Sequence, residues 1–218
     1  MTSENRLWFD AYQGVVKETG NEPDWTLMEY LPLISSNPVL DLAMGNGRNA
    51  LFFAKMGFEV DCLDVSKTWV KKCRDYAKEE NLKMRVYEEK LQTFAIPPRR
   101  YSLIIASKIL QLLRIGEIEA IAEQIYAGLA KRGILYVRAF SVEHVKRSEK
   151  IPQLEQIEPN TYYSPGHLQT YHYFTRDELP SLFPKLKVLY YIDGIEIDRT
   201  LKKPRYPWVI EYLGQRLR

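Results

Sequence analysis

Val39-Leu40-Asp41-Leu42-Ala43-Met44-Gly45-Asn46-Gly47-Arg48-Asn49-Ala50 decides how this chain folds. Its first five residues read as a buried strand. Met44 to Gly47 make a turn, and an almost wholly apolar helix follows from Arg48 to Met56, ended by Gly57. Without a Cβ at Gly45 and Gly47 the backbone can turn tightly and let a ligand come within contact distance. The next strand, Phe58 to Leu63, ends at Asp64, nineteen positions after Gly45. An acidic side chain there can accept hydrogen bonds from both hydroxyls of a ribose. A glycine turn and a separate carboxylate thus point to one nucleoside-type ligand.

Gly45-x-Gly47-x-x-Ala50 with Asp64 also fits the dinucleotide fingerprint, so the glycines alone do not separate a nicotinamide cofactor from S-adenosylmethionine. Asp41 does. It lies four residues before the first glycine, where a pyrophosphate would be repelled and a sulfonium carrying an α-ammonium group would be favoured. No GxxxxGK[ST] loop occurs here, which argues against a nucleotide triphosphatase.

Working outward, short β-rich runs alternate with amphipathic helical patterns, the signature of βαβ units around a parallel sheet. The spacing of Trp25, Leu27, Met28, Leu31 and Ile34 predicts a helix over 24–34 capped by Asp24. After Asp64, Ser66 can cap a helix that turns Trp69, Cys73 and Tyr76 to one face. Met84–Tyr87 is a third strand, and Ser102–Ala106 reads as a strand covered on both sides, hence central. Ile118, Ile121, Ala122, Ile125 and Leu129 form a helix stripe that Gly133 is expected to end, before a fifth strand at Ile134–Val137. From 141 to 173 the periodicity fades into a segment rich in Tyr, Pro and His, expected to be a lid or binding element or to be partly disordered. Thr175-Arg176-Asp177-Glu178 is a capping box. Leu186–Ile192 and Trp208–Leu213 close the sheet, joined by the charged stretch 198–203. The whole reads as one domain, 1–218, with an N-terminal helical segment over 1–36 and the 141–173 insertion.

Composition sets the outer bounds. At roughly 150 residues per domain, 218 residues suit one core, which 45% hydrophobic residues can fill. Lys+Arg 31 against Asp+Glu 28 leaves 31 − 28 = +3, an ordinary balance that does not suit a nucleic-acid coat or a polybasic membrane binder. Cys62 and Cys73 show neither CxxC spacing nor a second pair, so no disulfide framework, zinc site or other metal is expected. No stretch approaches the roughly 18 uncharged apolar residues of a membrane span, and the first residues lack a targeting pattern. The expectation is a cytoplasmic protein, monomer or homodimer.

These residues resemble the class I S-adenosylmethionine-dependent methyltransferases, in particular the small-molecule branch that includes tellurite-resistance and thiopurine-type enzymes. Val39–Ala50 is similar to the family's first motif, and Gly57-Phe58-Glu59-Val60 through Asp64-Val65-Ser66 to its second. Trp8-Phe9-Asp10-Ala11-Tyr12, Tyr101–Ile105 and Phe174–Leu179 resemble its N-terminal segment, fourth strand and a late helix start. The resemblance implies an α/β, three-layer αβα, Rossmann-like doubly wound sheet of seven mostly parallel strands whose last strand is antiparallel. It implies S-adenosyl-L-methionine as cofactor, leaving as S-adenosyl-L-homocysteine. Asp41, Gly45, Asn46, Gly47 and Arg48 would border its methionine part, Asp64 would hold the ribose, and Val65 would touch the adenine. Leu91 and Ser107 complete the cofactor set. Where the family carries an Asp after the third strand this chain has Lys90, so Glu88, Glu89 or the Leu91 backbone is left to meet the adenine amino group.

Methyl transfer from a sulfonium is an in-line displacement with a good leaving group, so alignment and water exclusion dominate. That suits a sequence without HExxH, GxSxG or clustered His and Cys. Tyr12, Ser107, Lys108 and the 141–173 residues Tyr162, Tyr163, His167, Tyr171 and His172 are candidates for touching the acceptor. His167, His172 and Tyr12 are the candidates for a base. The acceptor expected is a small molecule. An RNA or protein acceptor is the alternative, for which Arg199, Lys202, Lys203, Arg205 and the terminal Arg216 and Arg218 would be the patch. A non-catalytic Rossmann-like binding protein and a nicotinamide-dependent oxidoreductase are the rivals from other classes.

Overall fold

The computed structural model describes residues 3–20, 22–35, 38–147, 154–196 and 207–218, with side chains in the first helix described from Asp10 onward. Its strands are β1 (Val39–Leu42), β2 (Val60–Asp64), β3 (Met84–Glu88), β4 (Tyr101–Ser107), β5 (Leu129–Phe140), β6 (Glu155–Glu158), β7 (Thr161–Ser164), β8 (Gln169–His172), β9 (Leu186–Ile195) and β10 (Trp208–Arg216). Seven of them form one sheet in the order β3-β2-β1-β4-β5-β10-β9, and only β10 runs against its neighbours. The reversal of strand order between β1 and β4 is the switch point at which doubly wound sheets bind ligands.

Helices cover both faces: α1 (Ser3–Thr19), α2 (Trp25–Glu29), α3 (Arg48–Lys55), α4 (Lys67–Glu79), α5 (Ile115–Gly128), α6 (Val142–Arg147) and α7 (Glu178–Leu182). The central strand shows why. Leu103 and Ile105 pack with Phe52, Phe53, Val70 and Cys73 of α3 and α4, whereas Ile104 and Ala106 pack with Ile118, Ile121 and Ile125 of α5. A strand buried on both sides needs no polar alternation, as the run Ser102–Ala106 foretold.

Four expectations are corrected. The helix over 24–34 stops at Glu29 and continues only as a 3-10 turn, Leu31–Leu33, because Pro32 lacks the N–H and crowds the turn before it. The inward stripe of α4 is Val70, Cys73 and Ala77, with Trp69 39% exposed under the Lys72 ammonium. Ser66 does cap that helix, accepting from the Trp69 N–H. Helix α5 ends at Gly128, where a Cβ would lie 2.4 Å from Ile96; Leu129 already opens β5, and Gly133 lies inside that strand against the Tyr101 carbonyl. The 141–173 segment is ordered rather than irregular over its described part: α6 leads to a three-stranded antiparallel sheet, β6-β7-β8. Its turns use left-handed residues, Asn160 and Leu168, and Tyr162 pairs with Tyr171 across it. The charged stretch 198–203 and Arg205 lie outside the described residues, as do the side chains of Trp8 and Phe9. No helix among the described residues is long and apolar enough to cross a membrane.

Ile105 lies at the centre of the sheet with no exposed surface. Its truncation to Ala is expected to cost about 2–5 kcal/mol in urea unfolding, from lost burial and the cavity left behind.

Candidate functional site

Strands β1, β2 and β4 end side by side, and Asp41, Leu63, Asp64 and Ser107 at those ends border a cavity of about 610 Å3. Two strands leave the sheet here through non-glycine residues in the left-handed region, Ala43 at φ 59° and Lys108 at φ 61°. Such backbone costs about 1–2 kcal/mol per residue and persists where neighbours impose it. Met44 N–H donates to the Leu63 carbonyl at 2.9 Å and Lys108 N–H to the Arg138 carbonyl at 2.7 Å, which fixes both turns.

Gly45 and Gly47 also take positive φ, 56° and 82°. A Cβ on Gly45 would meet no protein atom within 4 Å, and this residue borders the cavity. Gly47 does not border it. It heads α3, and a Cβ there would lie 3.3 Å from Cys73 Sγ, so its smallness serves helix packing. Asp64 reaches back to this loop: Gly45 N–H donates to Oδ2 at 2.9 Å and Ser66 N–H to Oδ1 at 2.8 Å. A carboxylate offers about four acceptor sites, so each oxygen keeps capacity for a ligand hydroxyl.

Asp41 is buried beneath the loop, and its Oδ2 has no hydrogen-bond partner among the described residues. Burial and then the nearby Asp24 charge push its carboxyl up to about 7, against the opposing pull of Arg48 and the Ala50 N–H. Asp41 borders the cavity, and a buried carboxyl with an orphaned oxygen favours a cationic donor beside it.

Asp24, expected as a helix cap, makes no side-chain cap bond to α2. Its carboxylate is the hub of a buried network instead. It accepts from Arg48 at 2.5 Å, Asn49 Nδ2 at 3.0 Å, Ser107 Oγ at 2.8 Å and the guanidinium of Arg138. Burial alone would raise this carboxyl, but Arg48 and Arg138, with Ser107 and Asn49, hold it well below the usual carboxylate range. Arg138 pairs further with Glu196 and Glu211. Arg48 also donates to the Glu22 carbonyl at 2.8 Å.

The structure brings Asp41, Gly45, Asn46, Arg48, Asp64, Val65, Leu91 and Ser107 to one cavity, and Lys108 with them. Asn46 is steadied by its amide, which donates to the Thr19 carbonyl at 3.3 Å. Glu89 and Lys90 border the cavity too, and Glu88 does not. Tyr12, Tyr162, Tyr163, His167, Tyr171 and His172 are not brought there. His172 is buried between the Thr161 hydroxyl at 2.7 Å and Glu178 at 2.6 Å, so it ties the small sheet to α7. His167 lies 3.3 Å from Ser164 Oγ within its own turn. Tyr12 packs against the core beneath α1. Sequence reasoning missed Asn49, Gln92, Ile109, Leu112, Leu113 and Gln169, which also line the wall. The apolar run after Lys108 signalled three of them; Gln169 carried no signal, since only the folding of β8 onto Leu112, whose carbonyl it bonds at 3.3 Å, places it. Among the described residues no cluster of His, Cys, Asp or Glu could hold a metal.

Residues 39–133 match the model of a methyltransferase domain. No curated protein matches the sequence. Among solved structures, TehB from Haemophilus influenzae is similar in fold at 15% identity and TM-score 0.75, over 94% of this chain and 67% of that one. A SAM-dependent methyltransferase from Methanosarcina mazei is similar at 16% identity and TM-score 0.70, over 89% and 99%. The 1,6-didemethyltoxoflavin-N1-methyltransferase of Burkholderia thailandensis, solved with its substrate and S-adenosylhomocysteine, is similar at 15% identity and TM-score 0.66, over 100% and 92%. Strand order, switch-point cavity and domain match converge: the chain carries a methyltransferase domain at 39–133 and has the fold of the class I S-adenosylmethionine-dependent enzymes.

Proposed function

We propose that this methyltransferase moves the methyl group of S-adenosylmethionine to a small-molecule acceptor in the cytoplasm. The observation that carries the reading is the orphaned, buried Oδ2 of Asp41 beneath a glycine turn whose Gly45 leaves open space. It suits the α-ammonium of the methionine part and would repel a dinucleotide's pyrophosphate. Asp64 keeps acceptor capacity for the ribose hydroxyls, and Val65 and Leu91 border the place for the adenine. Lys90 stands exposed at the family's acidic position, which leaves Glu89 or the Leu91 backbone for the adenine amino group. Asn46, Arg48 and Ser107 complete the donor end.

When bound, the cofactor supplies an activated methyl on sulfur, and this chain's part is to orient and to exclude water. Ile109, Leu112 and Leu113 give the acceptor end an apolar wall, with Lys108 and Gln169 as its polar groups. None of the three histidines borders the cavity, so no imidazole base is assigned to the transfer. A small acceptor is supported by the volume, about 610 Å3 for donor and acceptor together. Two free, buried thiols, Cys62 and Cys73, accord with a reducing compartment.

Calorimetric titration with S-adenosylmethionine and S-adenosylhomocysteine, with NADH as control, tests the reading; binding of NADH alone would overturn it. Asp64→Ala should weaken S-adenosylmethionine binding about tenfold or more, through charge-assisted hydrogen bonds worth about 1.5–3 kcal/mol. An unchanged affinity removes Asp64 from the ribose.

Asp41 adds a pH dependence of known sign. Its carboxyl titrates near 7 in the free protein, and an ammonium ligand binds the carboxylate form, so binding below pH 7 must release a proton. Affinity should rise about tenfold per unit from pH 5 to near 7, then level off until the ligand's own ammonium deprotonates. Asp41→Asn should bind more weakly at pH 7.5 and lose that slope.

A further inference from the structure

We propose that Asp24 is the positioning residue that assembles the donor end of the cavity, holding Arg48, Asn49 and Ser107 through one buried carboxylate delivered by the segment between α1 and α2. The inference rests on the donor site proposed above. Asp24 does not itself border the cavity, but all three of these partners do. They come from different places: Arg48 and Asn49 from the first turn of α3, and Ser107 from the end of β4. Asn49 closes the link from the other side, its Oδ1 accepting the Asp24 N–H at 2.8 Å. Asp24 is thereby fixed through side chain and backbone together. Its further partner Arg138 anchors the segment to β5, and Thr26, two residues on, donates its hydroxyl to Glu211 of β10.

This arrangement also places a second negative charge near Asp41. The groups that act on Asp41 are Asp24 from the segment, Arg48 and the Ala50 N–H from α3, and Asp64 from β2. Its strand neighbours, Cys62 and Ile105, bring no charge at neutral pH. Arg48 acts on both carboxylates, so a change in where Asp24 holds it changes what it contributes at Asp41. Docking of the segment and the protonation of the donor site are therefore linked, and linkage is reciprocal. A ligand that binds the assembled donor end must tighten the segment.

The test uses S-adenosylhomocysteine on the full chain by calorimetry between pH 6 and 8, comparing wild type with Asp24→Asn, whose shape is nearly the same. Binding to wild type is required first; its absence refutes the donor site itself. Given that binding, a folded Asp24→Asn protein is expected to bind about tenfold or more weakly at pH 8, where Asp41 is ionised in both proteins. Its dependence on pH should move to lower values whatever the role, since removing the Asp24 charge by itself lowers the Asp41 carboxyl, so the affinity at pH 8 is the deciding readout. A role confined to stability would lower the melting temperature and leave that affinity in place. Affinity at pH 8 within about threefold of wild type would overturn the proposal. Should the variant not fold, hydrogen exchange on wild type decides. The ligand should slow the amides of residues 24–28 roughly fivefold or more, although none of these residues borders the cavity, and unchanged exchange there refutes the link.

Discussion

Two guanidinium groups, Arg48 and Arg138, lie around the C-terminal end of the sheet, and the single carboxylate of Asp24 takes up both. Buried charge is tolerated only where it is paired and its hydrogen bonds are met. Counted by sign, Asp24, Glu196 and Glu211 face Arg48, Arg138 and, at 3.9 Å from Glu196, Lys108. The network is balanced, three against three. Asp41, buried next to it, is outside the balance, with one oxygen unpartnered. The carboxyl left out of this network thus lies at the cavity, and a cation entering there favours its ionised form.

The parts of this site that the sequence displays are those made by near neighbours. Strand β1, the glycine turn and α3 are one continuous stretch, so residue spacing alone locates the ligand loop. Asp64 belongs with it because strand-helix-strand units have a nearly fixed length. Asp24 illustrates the opposite case. Its partners lie 24, 25, 83 and 114 residues away, and nothing in the local pattern distinguishes it from the helix cap that its place before Trp25 suggests. Arg138 is hidden for the same reason. A charged residue beside Val137 and Ala139 reads as a strand's solvent side until β10 and β9 lay Glu211 and Glu196 against it.

The tyrosine-rich segment shows a further limit. Alternation over four-residue strands is too short to stand out, and β6, β7 and β8 owe their pairing to turns at Asn160 and Leu168 whose left-handed backbone no glycine marks. Glycines mislead in the other direction at 128 and 133. Both lie near the end of an apolar helix stripe, and only the collision a Cβ would make with Ile96 or with the Tyr101 carbonyl tells which position ends the helix and which lies inside a strand.

The small sheet bears on how water is kept from the cavity. A flap that opens and closes is held by few contacts, mostly exposed. Here His172 is buried with both ring nitrogens engaged, its ring standing edge-on to Phe174 at 4.6 Å, and Glu178 holds the Thr175 N–H as well as the imidazole. Phe174 in turn donates its N–H to the Phe140 carbonyl, and Gln169 bonds the Leu112 carbonyl. The sheet is therefore tied to α7, to the end of β5 and to the cavity wall. Held in this way, it places Gln169 beside Ile109, Leu112 and Leu113 in the cavity wall. Alignment of a donor and an acceptor depends on walls held in place, and each contact that ties the small sheet down lowers the ordering cost of binding.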